Sequence, residues 1–237
     1  MVAVAVTVDA AVDTSGPYDG SAMKLILVRH GDAFAGLRGV IPGPLGCLGL
    51  TDLGRRQATA LHDSIAADPD FTVDVLVTST LPRAIETAGI IAPALGFAEV
   101  PQDCDLCEVH TGEADGLDWA EYTTRFGSLD MLAEPHRPFA PGGDSWNSFH
   151  DRVGAAMDRL ARDHKGLRVM AVCHSGVIAA SLRVRFGASP AGGPRLVPTN
   201  TGMTEWDFDD ATGQWTLRTY DDARHLASLV DDGDLEL

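Results

Sequence analysis

Three places in this 237-residue chain put chemistry-bearing side chains at the end of an apolar run. Leu25 to Val28 stop at Arg29, His30 and Gly31. Val73 to Val77 stop at Thr78 and Ser79, with Arg83 close behind. Arg168 to Cys173 stop at His174, Ser175 and Gly176. A neutral imidazole offers a lone pair to an electrophile when a hydrogen bond holds its other nitrogen. Arginine keeps its charge, and its planar fork suits phosphate or carboxylate oxygens. A glycine after the histidine lets the backbone come close to a ligand. Each feature also has a plainer reading. A histidine can satisfy a strand-end backbone group, an arginine can sit in a surface salt bridge, and an Arg-His-Gly triplet is common by chance.

The elements that must position these residues are legible as patterns. Lys24–Arg29, Val73–Val77 and Arg168–Cys173 read as short strands buried on both faces, the kind found in parallel sheets. Thr51 fits a helix N-cap, followed by the stripe Ala58, Leu61 and Ile65. Pro82 fits a helix start, continued inward by Ile85 and Ala88. Phe149, Val153, Ala156, Met157 and Leu160 trace an amphipathic helix capped by Asp144 or Ser145. Val177–Arg185 reads as helix, and Met203–Phe208 and Gln214–Thr219 as late strands. Alternating strands and helices predict an α/β fold, a three-layer α/β/α sandwich with a mostly parallel central sheet. If the first three strands are adjacent and parallel, their carboxyl ends meet in one crevice, where open α/β sheets place ligands.

Residues 1–22 read as a flexible N-terminal extension rich in Gly, Pro and Asp at its end. Residues 23–230 form the main domain, with a small cap expected from 93–143, and 231–237 make an acidic tail. Met1 and Met23 are both candidate starts of the native chain. Asp and Glu number 34 against 18 Lys and Arg, a net charge of -16, which disfavours nucleic acid and anionic membranes as partners. No run of apolar residues is long enough to span a membrane, and no signal peptide is evident, so a cytoplasmic location is expected. Any phosphate site in so acidic a chain must build its own local positive field.

Five segments, in order, resemble the signatures of the histidine phosphatase (phosphoglycerate mutase-like) superfamily. They are Leu27-Val28-Arg29-His30-Gly31, the stretch Leu50 to Ala58, the stretch Ser79 to Ala88, Pro141-Gly142-Gly143-Asp144-Ser145, and Val172-Cys173-His174-Ser175-Gly176. The resemblance implies metal-independent phosphomonoester hydrolysis, with His30 carrying the phosphoryl group covalently. Arg29, Arg83 and His174, the last as a cation, would bind the phosphoryl oxygens. Glu108, in Glu108-Val109-His110-Thr111-Gly112, would donate the proton, with Asp105, Glu113 and Asp115 as rivals on the same loop. Asp32, Gly36, His110, Trp146 and Ser175 are candidate pocket residues. The expected ligand is a small phosphomonoester or a phosphoprotein, bound by a monomer or homodimer, with no cofactor and no metal ion.

The departures from the pattern matter too. Gly36 stands where many members carry a pocket asparagine, Asp32 where glutamate or glutamine is usual, and Asp144 where glutamate is usual. Members that are glycolytic mutases hold a substrate carboxylate with basic residues after the acid glutamate. Here only Arg125 and Arg137 precede the glycine turn, which turns the expectation toward hydrolysis. Phosphoryl transfer of the mutase kind and a non-catalytic phospholigand-binding module are the alternatives. Trp119, Tyr122, Phe126, Met131 and Trp146 either wall the leaving group or build a small cap core. Cys104 and Cys107 form a CxxC next to Glu108. Cys47 and Cys173 are single, so the second cysteine pair of a structural zinc site is missing.

Overall fold

The computed structural model describes residues 22–34, 39–190, 194–227 and 229. The expected extension, the acidic tail and Gly36 therefore lie outside the described residues. A five-stranded sheet runs in the order β2-β3-β1-β4-β5, with β1 Met23–Arg29, β2 Val75–Thr78, β3 Arg168–Cys173, β4 Met203–Asp209 and β5 Gln214–Asp222. The helices are α1 Asp52–Ala67, α2 Pro82–Ile91, α3 Trp119–Phe126, α4 Trp146–Asp163 and α5 Ser175–Arg185.

Alternation along the central strands separates two apolar layers. Leu25 and Leu27 of β1 and Val169, Ala171 and Cys173 of β3 face a core shared with Phe149, Val153, Met157, Leu160, Val177 and Ile178 of α4 and α5. Ile26, Val28, Met170 and Val172 face the opposite core, with Leu61 and Ile65 of α1 and Ala84, Ala88 and Ile91 of α2. Both faces of these strands are therefore covered, which is why their sequences are apolar without alternation. The local signals act as anticipated. The Thr51 hydroxyl accepts from Gly54 N, Pro82 opens α2, and Ser145 caps α4 in a capping box with Ser148.

The sheet differs from expectation in one respect. Strands β2, β3 and β1 are parallel, but β4 pairs antiparallel with both β1 and β5, so the sheet is mixed rather than mostly parallel. The short link between β4 and β5 dictates the second of these pairings. Four residues can reverse a chain but cannot carry the crossover that parallel strands require. The middle segment holds its own small core of Ile41, Ala114, Tyr122 and Ala140, packed by Phe126 and Phe139. Tyr122 and Phe126 therefore fill a cap core, whereas Trp119 is exposed. Among the described residues no helix is long and apolar enough to cross a membrane.

Candidate active site

The parallel register brings the three strand ends together. His30 N donates to Cys173 O at 3.0 Å and Ser79 N donates to Val172 O at 2.9 Å, so both follow the β3 ladder to its end. The rings of His30 and His174 lie with centroids 5.1 Å apart. Both are buried, as are Ser79 and Arg83.

The hydrogen bonds set the tautomer of His30. Arg83 Nε lies 3.0 Å from His30 Nε2, and a guanidinium can only donate, so Nε2 carries the lone pair. The proton then sits on Nδ1, which donates to Gly31 O at 2.7 Å. Burial pushes the His30 imidazole well below its ordinary value, and Arg83 and then Arg29 add to this against the bond to Gly31. Burial likewise holds His174 well below the ordinary histidine value, helped first by Arg83 and then by His30. Burial and the neighbouring Arg83 charge both work against the expected His174 cation. His174 Nε2 pairs with Ser79 Oγ at 2.7 Å, while its Nδ1 is buried without a partner.

The strand end is clamped from two sides. Gly31 N donates to Thr87 Oγ1 at 3.1 Å and Asn200 Nδ2 donates to His30 O at 2.9 Å. The Arg29 guanidinium donates to Pro198 O, and burial lowers its proton affinity while Glu108, Asp221 and Asp32 work to restore it. Asp32 is committed to structure. Its carboxylate accepts from the Thr51 hydroxyl at 2.6 Å and its N–H donates to Gln57 at 2.8 Å, pinning the loop to α1.

Glu108 reaches the same place from the middle segment. Its Oε2 accepts from Gly176 N at 2.9 Å, in the first turn of α5 directly after His174. Its rivals are placed elsewhere. Asp105 pairs with Arg159, Asp115 accepts from Leu45 N and Gly46 N, and Glu113 is exposed. Ser175 opens α5, half-buried beside His174.

Two candidate pocket residues have other partners. Trp146 donates its indole N–H to Pro190 O at 2.7 Å and packs on Phe149 and His150. His110 turns to Asp144 and Cys104 rather than to the histidine pair. Cys107 meets the pocket instead. Its sulfur lies 3.2 Å from Ser79 Oγ and 3.0 Å from Thr80 Oγ1. Burial works to raise the Cys107 thiol, but hydrogen bonds from His110, Ser79 and Thr80 prevail and bring it down to about 6. Ser79, Thr87 and Asn200 were not among the predicted site residues. Ser79 had a signal in its place at a strand end, whereas Asn200 and Thr87 act through backbone contacts that no spacing rule reveals.

With this geometry in view, comparison with known proteins is specific. The family model of the histidine phosphatase superfamily (branch 1) matches residues 25–223. Phosphoglycerate mutase-like protein 4 of Arabidopsis thaliana is 31% identical over 212 residues, covering 86% of each chain. A metal-independent phosphoserine phosphatase from the same plant is 30% identical over 214 residues, covering 87% of this chain and 84% of that one. Among solved structures, phosphoserine phosphatase from Entamoeba histolytica in complex with 3-phosphoglyceric acid superposes with a TM-score of 0.69 at 26% identity, over 86% of this chain and 99% of that one. The chain belongs to the histidine phosphatase superfamily, branch 1.

Proposed function

We propose that the protein hydrolyses small phosphomonoesters through a phosphohistidine at His30. The observation that carries this reading is the locked tautomer of His30, with Nδ1–H on Gly31 O and the Nε2 lone pair facing the Arg83 guanidinium. An incoming phosphoryl group replaces that lone pair as the partner of Arg83, so the anion frees the nucleophile that attacks it. Arg29 takes a second nonbridging oxygen. His174 Nδ1 is buried without a partner, and a dianion nearby favours the imidazolium that burial otherwise resists.

In the first step the Nε2 lone pair forms a bond to phosphorus as the ester P–O bond breaks. Glu108 passes its proton to the leaving oxygen. In the second step water attacks phosphorus, the N–P bond breaks, and the Glu108 carboxylate takes the proton of the water. No step requires a metal ion. Hydrolysis is favoured over mutase transfer because the basic residues of the middle segment are already engaged. Arg125 pairs with Glu121, and Arg137 ties down Ser128 O, Phe126 O and Glu134.

The test is a panel of phosphomonoesters assayed with EDTA present, starting from phosphoserine because a relative bears that activity in its name. Activity should survive EDTA. His30→Ala should lower kcat on the order of 10⁴-fold or more, as loss of a covalent nucleophile does. An acid-labile phosphoenzyme should be trapped in the parent and not in the variant. Activity abolished by EDTA, or retained by His30→Ala, overturns the reading.

A further inference from the structure

Beside the pocket, Cys104, Cys107 and His110 each offer a ligand atom, and these atoms all lie within 4.8 Å of one another. Cys104 Sγ and His110 Nε2 are 3.4 Å apart. On a tetrahedral zinc ion, with bonds of about 2.3 Å to sulfur and about 2.0 Å to nitrogen, two such donors sit about 3.5 Å apart. The far side of the imidazole is also arranged. His110 Nδ1 lies 3.4 Å from Asp144 Oδ2, the carboxylate contact that aims a metal-binding histidine. Asp144 is itself fixed by Arg152 at 2.7 Å and by the His110 N–H at 2.9 Å. Arg152 also donates to the carbonyl oxygens of Asp105, Cys107 and Glu108, so the loop is clamped in the shape that gathers the three groups. A rule that counts cysteine pairs alone overlooks this arrangement, because the third donor is an imidazole.

We propose that Cys104, Cys107 and His110 bind a thiolate-preferring divalent cation of the zinc type. Sulfur and imidazole donors select such an ion over magnesium or calcium, which prefer oxygen. Each cysteine binds as its thiolate, and any proton still on sulfur goes to solvent. Cys107 is buried and Cys104 exposed, so the site opens on one side, where the ion enters and water fills the fourth position. An ion there ties the Glu108 loop to the Asp144 turn without entering the hydrolytic steps. The site stands whether or not the phosphatase reading holds, because its readouts are binding and stability.

The experiment uses the full chain, reduced and stripped of metal. Cobalt should bind at one equivalent with a thiolate-to-cobalt charge-transfer band, and zinc should displace it. Zinc at about 100 times its Kd should raise Tm by about 5 °C or more. Cys104→Ser should keep the metal-free Tm, lose the band's intensity and weaken zinc binding at least about 100-fold. Equal affinity in Cys104→Ser would place the ion elsewhere, the His30–His174 pair included, and overturn the proposal. So would cobalt binding without the band, or a reduced protein that takes up no metal and merely closes a Cys104–Cys107 disulfide in air.

Discussion

The parallel half of the sheet and the β4–β5 hairpin are built from the same strand geometry but carry different loads. Strands β1 and β3 are buried along almost their whole length and end in Arg29, His30 and His174. Strand β5 alternates exposed and half-buried residues from Gln214 to Tyr220, as a half-solvated edge does. The parallel half supplies charge and lone pairs from its strand ends. The segment leading into β4 supplies backbone support, with Pro198 O, Asn200 and Thr201 N all bonded to the Arg29–His30 turn. Burial at the ends of the parallel strands holds both His30 and His174 well below the ordinary histidine value. The comparison is broken if a change confined to the pocket spares catalysis, or if a change confined to the hairpin abolishes it.

The sharpest challenge on the pocket side is Gly176→Ala. A Cβ at this position would lie 2.0 Å from Glu108 Oε1, the mobile end of a side chain that can swing away. The helix should tolerate alanine, so stability should change by less than about 1 kcal/mol. The carboxylate, however, would leave its place on Gly176 N. Displacement of a catalytic group by about 1 Å costs on the order of 10²-fold. A kcat reduced about 100-fold with an unchanged unfolding midpoint is the expected result. An unchanged kcat would remove Glu108 from the role of proton donor.

The difference between the halves also governs what sequence alone could reveal. The buried strands and their terminal residues were legible because continuous apolar runs ending at Arg-His-Gly and His-Ser-Gly are local signals. Caps such as Thr51 and Ser145 were legible for the same reason. What stayed hidden depends on approach in space. Arg83 could be placed in a pocket by resemblance, but not its bond to His30 Nε2, which fixes which nitrogen is free. Asn200 binds His30 O across 170 positions of chain, and no periodicity encodes that contact. His110 could not be placed either, since its partners Asp144 and Cys104 come from separate turns. The antiparallel run of β4 beside β1 was hidden because the long connection from α5 to β4 leaves the strand's direction open.

The hairpin half has a half-buried histidine of its own. His225 pairs with Thr201 Oγ1 at 2.8 Å, and burial lowers it to about 4 against the opposing pull of Asp222. A histidine kept neutral in the fold gives stability that is fully present above about pH 6.5, its unfolded value, and lost as pH falls through the folded value. Unfolding free energy should therefore drop as pH goes from 6.5 toward 4, with His225 accounting for about 2–3 kcal/mol. Chemical denaturation of the parent and of His225→Gln across this range isolates that share, and the variant should have the flatter acid limb. Phosphoserine KM at pH 7.5 should be unaffected in the variant. A raised KM would draw the hairpin half into substrate binding.

The smallest expected effect lies on the outer face of β5. Thr216 is exposed and stands opposite Asp207 in the antiparallel ladder, so alanine there removes only β-branching from an edge strand. Thr216→Ala should shift unfolding free energy by no more than about 0.5 kcal/mol and leave kcat and KM unchanged. Denaturant melts and steady-state rates measured side by side decide the matter. A tenfold loss of kcat/KM in a variant that melts normally would mean that the exposed edge meets the substrate or something bound to it. In that case the hairpin would be part of the recognition surface, and the division of labour between the two halves would fail.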